Sequence, residues 1–319
     1  MTTWLVISII VLLLLVVAYL VLGYIVYTRL ANVRGSCDMH LENRPDHFTN
    51  VTGWPERDFS PFFMSSDYET VRFPSRNADL QISGWYLQGD PDEPVIIVVD
   101  GLGGCKYAQA TLVPAGILWH DGFSVLMIDL RNTGDSDLDN GYSAVGNKEY
   151  QDVLGAWDWL VQEKGYPPER IGILGNSLGA AAVLFAFQHE LRIAAIALNS
   201  PFSNLPQIIR EEMENNNVPG FLAPASILMG RLVKGENLVE HNPVDALLSA
   251  GTRPVWVVHS SADTRIGIHH SYRLQEAAQQ AGINATFWFL DDVAHVRAPG
   301  VYPEEFRERL GSFFRTHLH

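Results

Sequence analysis

A serine bracketed by two glycines, Gly175-Asn176-Ser177-Leu178-Gly179, is where this 319-residue chain is best equipped for covalent chemistry. Residues 170–174 read as a short buried strand, and Ala180, Ala181, Val183, Leu184 and Phe187 read as a helix. A tight turn between the two cramps the backbone of its central residue, so the positions two before and two after must be small. Ser177 would then stand above the end of a sheet, with unpaired N–H groups and the positive end of a helix dipole behind it. A serine hydroxyl is a poor nucleophile at neutral pH. It needs a base to take its proton and a third group to hold that base.

Two later loops carry the residue types for those roles. One buried apolar run ends in His259-Ser260-Ser261-Ala262-Asp263, and the last ends in Asp291-Asp292-Val293-Ala294-His295. In a parallel sheet the C-terminal strand ends face one side, which puts Ser177, Asp263 and His295 on one rim in that chain order. Asp291 and Asp292 are too close to His295 in sequence to curl back as its orienter. His259, His269 and His270 are read as structural or rim residues, because none follows the last strand.

The elements that must position these residues alternate in type. Residues 69–73 and 80–87 read as an antiparallel hairpin around a turn-rich stretch. Residues 95–99 are a continuous β-branched run, the mark of a strand buried on both faces. It ends in Asp100-Gly101-Leu102-Gly103-Gly104. Further strands are expected at 123–128, 193–198, 255–258 and 286–290, and helices at 107–120, 148–164, 270–280 and 303–317. Such alternation predicts a mainly parallel sheet covered by helices on both faces. Residues 201–250 break the rhythm, with two helical signals and no strand. They are expected to form a small helical lid over the site.

On these motifs the chain is similar to the α/β-hydrolase superfamily from about Glu69 to the C-terminus. It resembles in particular bacterial esterases of the dienelactone-hydrolase and prolyl-peptidase-like branch, some of which carry an N-terminal anchor. The resemblance implies Ser177 as nucleophile, His295 as its base and Asp263 as the acid that fixes the imidazole tautomer, with an acyl-enzyme resolved by water. It also implies an oxyanion hole made by the backbone N–H groups of Leu178 and Leu102. Relatives place a histidine before the first glycine of the Leu102 loop. This chain has Asp100, whose carboxylate would repel a forming oxyanion unless it points away or is paired. Asp129 is expected to shape its loop, with Arg131 pairing there. The loop at Gly101 lacks the Lys-Ser/Thr of a phosphate cradle, and no cofactor or metal is expected.

Composition frames the rest. Hydrophobic residues make up 47% of the chain and charged ones 18%, enough for a sizeable core. A formal net charge of −14 argues against nucleic acid and against charge-driven binding to anionic lipid. Cys37 and Cys105 are far apart in sequence, and neither a disulfide framework nor a metal-binding spacing is indicated. Residues 4–27 are apolar and uncharged, long enough to cross the roughly 30 Å hydrocarbon layer as a helix. Met1-Thr2-Thr3 lacks the basic start of a cleaved signal, so an uncleaved anchor is expected. Residues 28–67 would be a linker packing on the domain through Phe48, Trp54, Phe59, Phe62 and Phe63, and 68–319 the hydrolase domain. Arg29 and Arg34 follow the span, which by the positive-inside rule places the domain on the cytoplasmic side. Asn50-Val51-Thr52 and Asn284-Ala285-Thr286 are formal glycosylation sequons.

Together these readings predict a membrane-anchored serine hydrolase of carboxylic esters, with acyl-chain or lipid-like substrates. Two alternatives stay open: a catalytically silent hydrolase fold that binds a ligand or partner, and a serine peptidase.

Overall fold

The computed structural model describes residues 2–49, 54 and 58–319, so the sequon at Asn50 lies outside the described residues. In chain order the elements are α1 (Thr2–Leu30), β1 (Glu69–Pro74), β2 (Gln81–Leu87), β3 (Val95–Val99), α2 (Gln109–His120), β4 (Ser124–Ile128), α3 (Tyr150–Gln162), β5 (Ile171–Asn176), α4 (Leu178–His189) and β6 (Ala195–Asn199). Then come α5 (Leu205–Asn215), α6 (Ala223–Lys234), α7 (Pro243–Leu248), β7 (Val255–Ser260), α8 (His269–Ala281), β8 (Ala285–Leu290), α9 (Ala298–Val301) and α10 (Pro303–His317).

The strands form one sheet in the order β1-β2-β4-β3-β5-β6-β7-β8. β2 pairs antiparallel with β1 and β4, and every pairing from β4 to β8 is parallel. The parallel part is sandwiched, so β3, β4 and β5 are buried along their whole length, in keeping with their largely apolar sequences. One face carries α3, α4, α7 and α8, with Trp157, Phe185 and Phe187 in its core. The other carries α2 and α10. α4 is apolar all round and is buried from Leu178 to Phe187, which is why its sequence shows no polar face.

The linker earns its order from aromatic side chains. Phe48, Trp54, Phe59 and Phe62 are buried against the α2 face, and Phe48 meets Phe59 and Phe63 at ring-centroid distances of 5.5 and 5.1 Å. The segment between β6 and β7 contains α5 and α6 where two helices are expected, and a third, short helix, α7. α7 is only six residues long and starts on Pro243, too short for its periodicity to register in the sequence.

The cysteines need a correction. Cys37 and Cys105 are joined in a disulfide, with Cα atoms 6.2 Å apart. Their separation of 68 residues conceals this, because the linker folds back over the loop after β3. Arg131 also finds a partner other than its own loop. It pairs with Asp152 of α3 at 2.7 Å, both side chains buried, while Asp129 takes the completely buried Lys106. Both pairs clamp the loop that follows β4.

Candidate active site

β5 delivers the chain into the turn at Ser177, and α4 starts on the next residue. Ser177 has φ 55° and ψ −118°, a strained conformation for a residue with a side chain. The turn is this tight because the flanking glycines permit it. A Cβ on Gly175 would lie 2.6 Å from the Gly179 oxygen, and one on Gly179 would lie 2.4 Å from the Asp100 oxygen. Ser177 is thereby pushed out at the rim, at the head of a helix whose first N–H groups have no intrahelical acceptor.

The loops after β7 and β8 bring the other two side chains to it. Ser177 Oγ lies 2.9 Å from His295 Nε2, and His295 Nδ1 lies 2.7 Å from Asp263 Oδ2. A carboxylate only accepts, so Nδ1 carries the imidazole proton and Nε2 is left to accept from the serine hydroxyl. Asp263 Oδ1 accepts from the amides of Arg265 (3.0 Å) and Ile266 (2.9 Å). Burial pushes the Asp263 carboxyl up, but hydrogen bonds from His259 and His295 outweigh it and hold the group well below the ordinary carboxylate range. It stays ionised throughout the neutral and mildly acidic range.

His259 makes a contact that residue-by-residue reading misses. Its Nε2 lies 3.2 Å from Asp263 Oδ2 and 2.9 Å from the Ile266 oxygen, while Nδ1 accepts from Ser271 Oγ at 2.7 Å. It is a buried brace for the carboxylate; the sequence signal is its place four residues before Asp263, at the end of β7. His270, also buried, accepts on Nδ1 from the Ser203 amide and meets Glu211 of α5 through Nε2 at 2.9 Å. Burial lowers its pKa to about 4, so it ties α5 to α8 as a neutral ring. His269 reaches Glu211 from the rim at 3.2 Å.

Leu102 and Leu178 both line the pocket that contains Ser177, and a Cβ on Gly101 would lie 3.0 Å from that of Ser177. The loop after β3 is therefore in contact with the serine. Asp100 does not face the space above it unpaired: its Oδ1 accepts from the Gly101 amide at 2.7 Å, and Oδ2 lies where a Cβ on Gly104 would be. Burial holds the Asp100 carboxyl above its ordinary range, against hydrogen bonds from Gly101, the Thr111 hydroxyl and the Cys105 amide that lower it. The side chain curls into its own loop and supports the loop's shape.

A strand-held serine, a histidine with an accepting nitrogen and a buried carboxylate behind it are assembled at one rim. The prolyl oligopeptidase family matches residues 115–319. The chain belongs to that family. It is a serine hydrolase of the α/β-hydrolase fold. It is 25% identical over 268 residues to the protein YfhR of Salmonella typhi, covering 79% of this chain and 83% of that one. An esterase of Pyrococcus furiosus superposes with a TM-score of 0.65 over 87% of this chain and 98% of its own, at 23% identity. An acylaminoacyl peptidase of Pyrococcus horikoshii gives 0.57 at 22% identity, over 79% of this chain and 41% of its own. At such identities the two structures speak for the fold.

Proposed function

We propose that this chain is a membrane-anchored hydrolase of carboxylic esters, working through Ser177, His295 and Asp263. The observation that carries the reading is the unbroken relay from Ser177 Oγ to His295 to the buried Asp263. In the reaction, Ser177 Oγ attacks the acyl carbon while its proton passes to His295 Nε2. The carbon–oxygen bond to the leaving alcohol breaks, and that alcohol takes the proton from Nε2. Water, deprotonated by the same nitrogen, then cleaves the acyl-serine and releases the acid. The N–H groups of Leu178 and Leu102 would hold the oxyanion of both tetrahedral intermediates.

An ester is favoured over an amide by the apolar pocket beside Ser177, lined by Leu178, Phe202 and Met213, which suits an acyl chain. Incubated with p-nitrophenyl esters and matched anilides, the protein should turn over the esters far faster and show a burst of acylation. Comparable rates on both would favour a peptidase, and no burst with no turnover would favour a silent binding fold.

The anchor reading draws support from packing. Along α1, Tyr19, Gly23, Val26, Tyr27 and Leu30 form one helical stripe against the domain, while residues 4–18 are exposed and, but for Ser8, apolar. For the side of the membrane, the disulfide outweighs two arginines: such bonds persist in oxidising compartments. We therefore place the domain on the non-cytoplasmic side. In vesicles sealed with the cytoplasmic face inward, added protease should digest it; protection until detergent is added would reverse the placement.

A further inference from the structure

Ser177 stands where two cavities of different character meet. One, of about 740 Å³ counting the part open to solvent, is walled by Ile209 and Met213 of α5 and by Tyr27 and Leu30 of α1. The other, of about 890 Å³ on the same basis, is lined by the 100–104 loop, Gln109, His295 and Arg297. An ester with its carbonyl at Ser177 finds apolar walls for one arm and mixed walls with several polar groups for the other.

The apolar arm leads to α1, and α1 is docked on α6. A Cβ on Gly23 would lie 2.5 Å from that of Ala225, and one on Gly230 would lie 2.9 Å from the Tyr27 ring, so small residues set the closeness of the two helices. Ser226 Oγ donates to the Gly23 oxygen at 2.9 Å, and Tyr19 Oη donates to the Phe221 oxygen at 2.8 Å. Tyr19 is eight residues before Tyr27, about 12 Å deeper along the apolar run. The turn entering α6 therefore reaches well into the length of α1 that is built for lipid. Phe221 at that turn and Leu228, Leu232 and Val233 farther along α6 are exposed, a large apolar area for water to cover.

We propose that the cavity between α1, α5 and α6 is an acyl-chain site filled sideways from the bilayer. The substrate class is a bilayer-resident long-chain ester with a polar head. Its chain passes between α1 and α5, beside the close α1–α6 contact, and its polar part rests over the 100–104 loop. The exposed face of α6 lies in the lipid interface, and α1 is a wall of the substrate site as well as a tether. This rests on the anchored-hydrolase reading above and specifies its substrate.

The test uses the full chain reconstituted in phosphatidylcholine vesicles and a p-nitrophenyl ester series from acetate to palmitate. In Ile209→Trp, which fills the cavity, the palmitate-to-acetate ratio of kcat/KM should fall at least about tenfold. In Leu232→Glu, which puts a carboxylate on α6 away from the cavity, the ratio should fall by a similar factor, about tenfold. Equal losses on both esters in Ile209→Trp would overturn the acyl site, and an unchanged ratio in Leu232→Glu would overturn entry from the bilayer. Fluorophosphonate labelling of Ser177 in each variant reports that the site is folded. A wild-type protein that neither labels nor hydrolyses any ester of the series gives a different result, which removes the hydrolase reading itself.

Discussion

Replacing Ser177 with alanine is expected to abolish fluorophosphonate labelling and to lower ester turnover by about 10⁴-fold or more. The size of the effect follows from the geometry. Ser177 Oγ is the atom 2.9 Å from His295 Nε2, and the strained turn points it there at a cost in backbone conformation. Alanine leaves β5, the turn and α4 intact, since it only deletes one oxygen from a residue whose backbone is already held by the Asn199 oxygen at 2.9 Å. The protein should therefore remain folded, with an unchanged or slightly raised Tm, while chemistry stops. Equal labelling of wild type and Ser177→Ala by the probe would show that the nucleophile lies elsewhere.

Asp263→Asn should cost about 10⁴-fold in kcat/KM, although the side chain is nearly isosteric. The donors on the Oδ1 side of this carboxylate are backbone amides and cannot reverse, whereas those on the Oδ2 side are imidazoles. The amides of Arg265 and Ile266 face Oδ1, and His259 and His295 face Oδ2. An asparagine NH₂ placed on the Oδ1 side would meet two backbone N–H groups that cannot reverse. It is driven to the Oδ2 side, where His295 can oblige by moving its own proton from Nδ1 to Nε2. That tautomer donates toward Ser177 and cannot take its proton. Combined with Ser177→Ala, the change should add almost nothing, because the groups act as one unit. In the wild type the Asp263 carboxyl is held well below the ordinary carboxylate range, so an acid limb between pH 5 and 8 is not its protonation. A kcat/KM for Asp263→Asn within tenfold of wild type would show that the carboxylate does not fix the imidazole for catalysis.

The glycines around Ser177 show why part of this molecule is legible without coordinates. Gly175 is demanded by atoms of Gly179 and Ala180 within a few residues, and that local demand leaves a local mark, whereas the space at Gly179 is taken by the backbone of Val99 and Asp100. The β-branched run of β3 marks burial in the same way, because two covered faces leave no position for a polar side chain there. The chain order of Ser177, Asp263 and His295 could be joined to a common rim because parallel strands all end on one side. Asp100 lay at the boundary of this kind of reasoning. Its proximity to the Leu102 loop was plain, but the direction of its carboxylate depended on how the loop closed over it.

What the residue pattern determined by itself was the alternation of strands and helices, the cramped serine turn, the rim that would carry its partners, and an apolar first helix of membrane-spanning length. Each follows from periodicity or from steric needs felt over a few residues. Only the tertiary structure decided that Cys37 meets Cys105, that Arg131 binds Asp152 while Asp129 binds Lys106, that His259 braces Asp263, and that Tyr27 and Leu30 wall a cavity reaching Ser177. Apart from His259 and Asp263, four residues apart and brought together by the shape of the loop after β7, these are pairings between segments tens of residues or more apart. No short-range period encodes them, because side-chain partners are set by how the layers pack and not by neighbours along the chain.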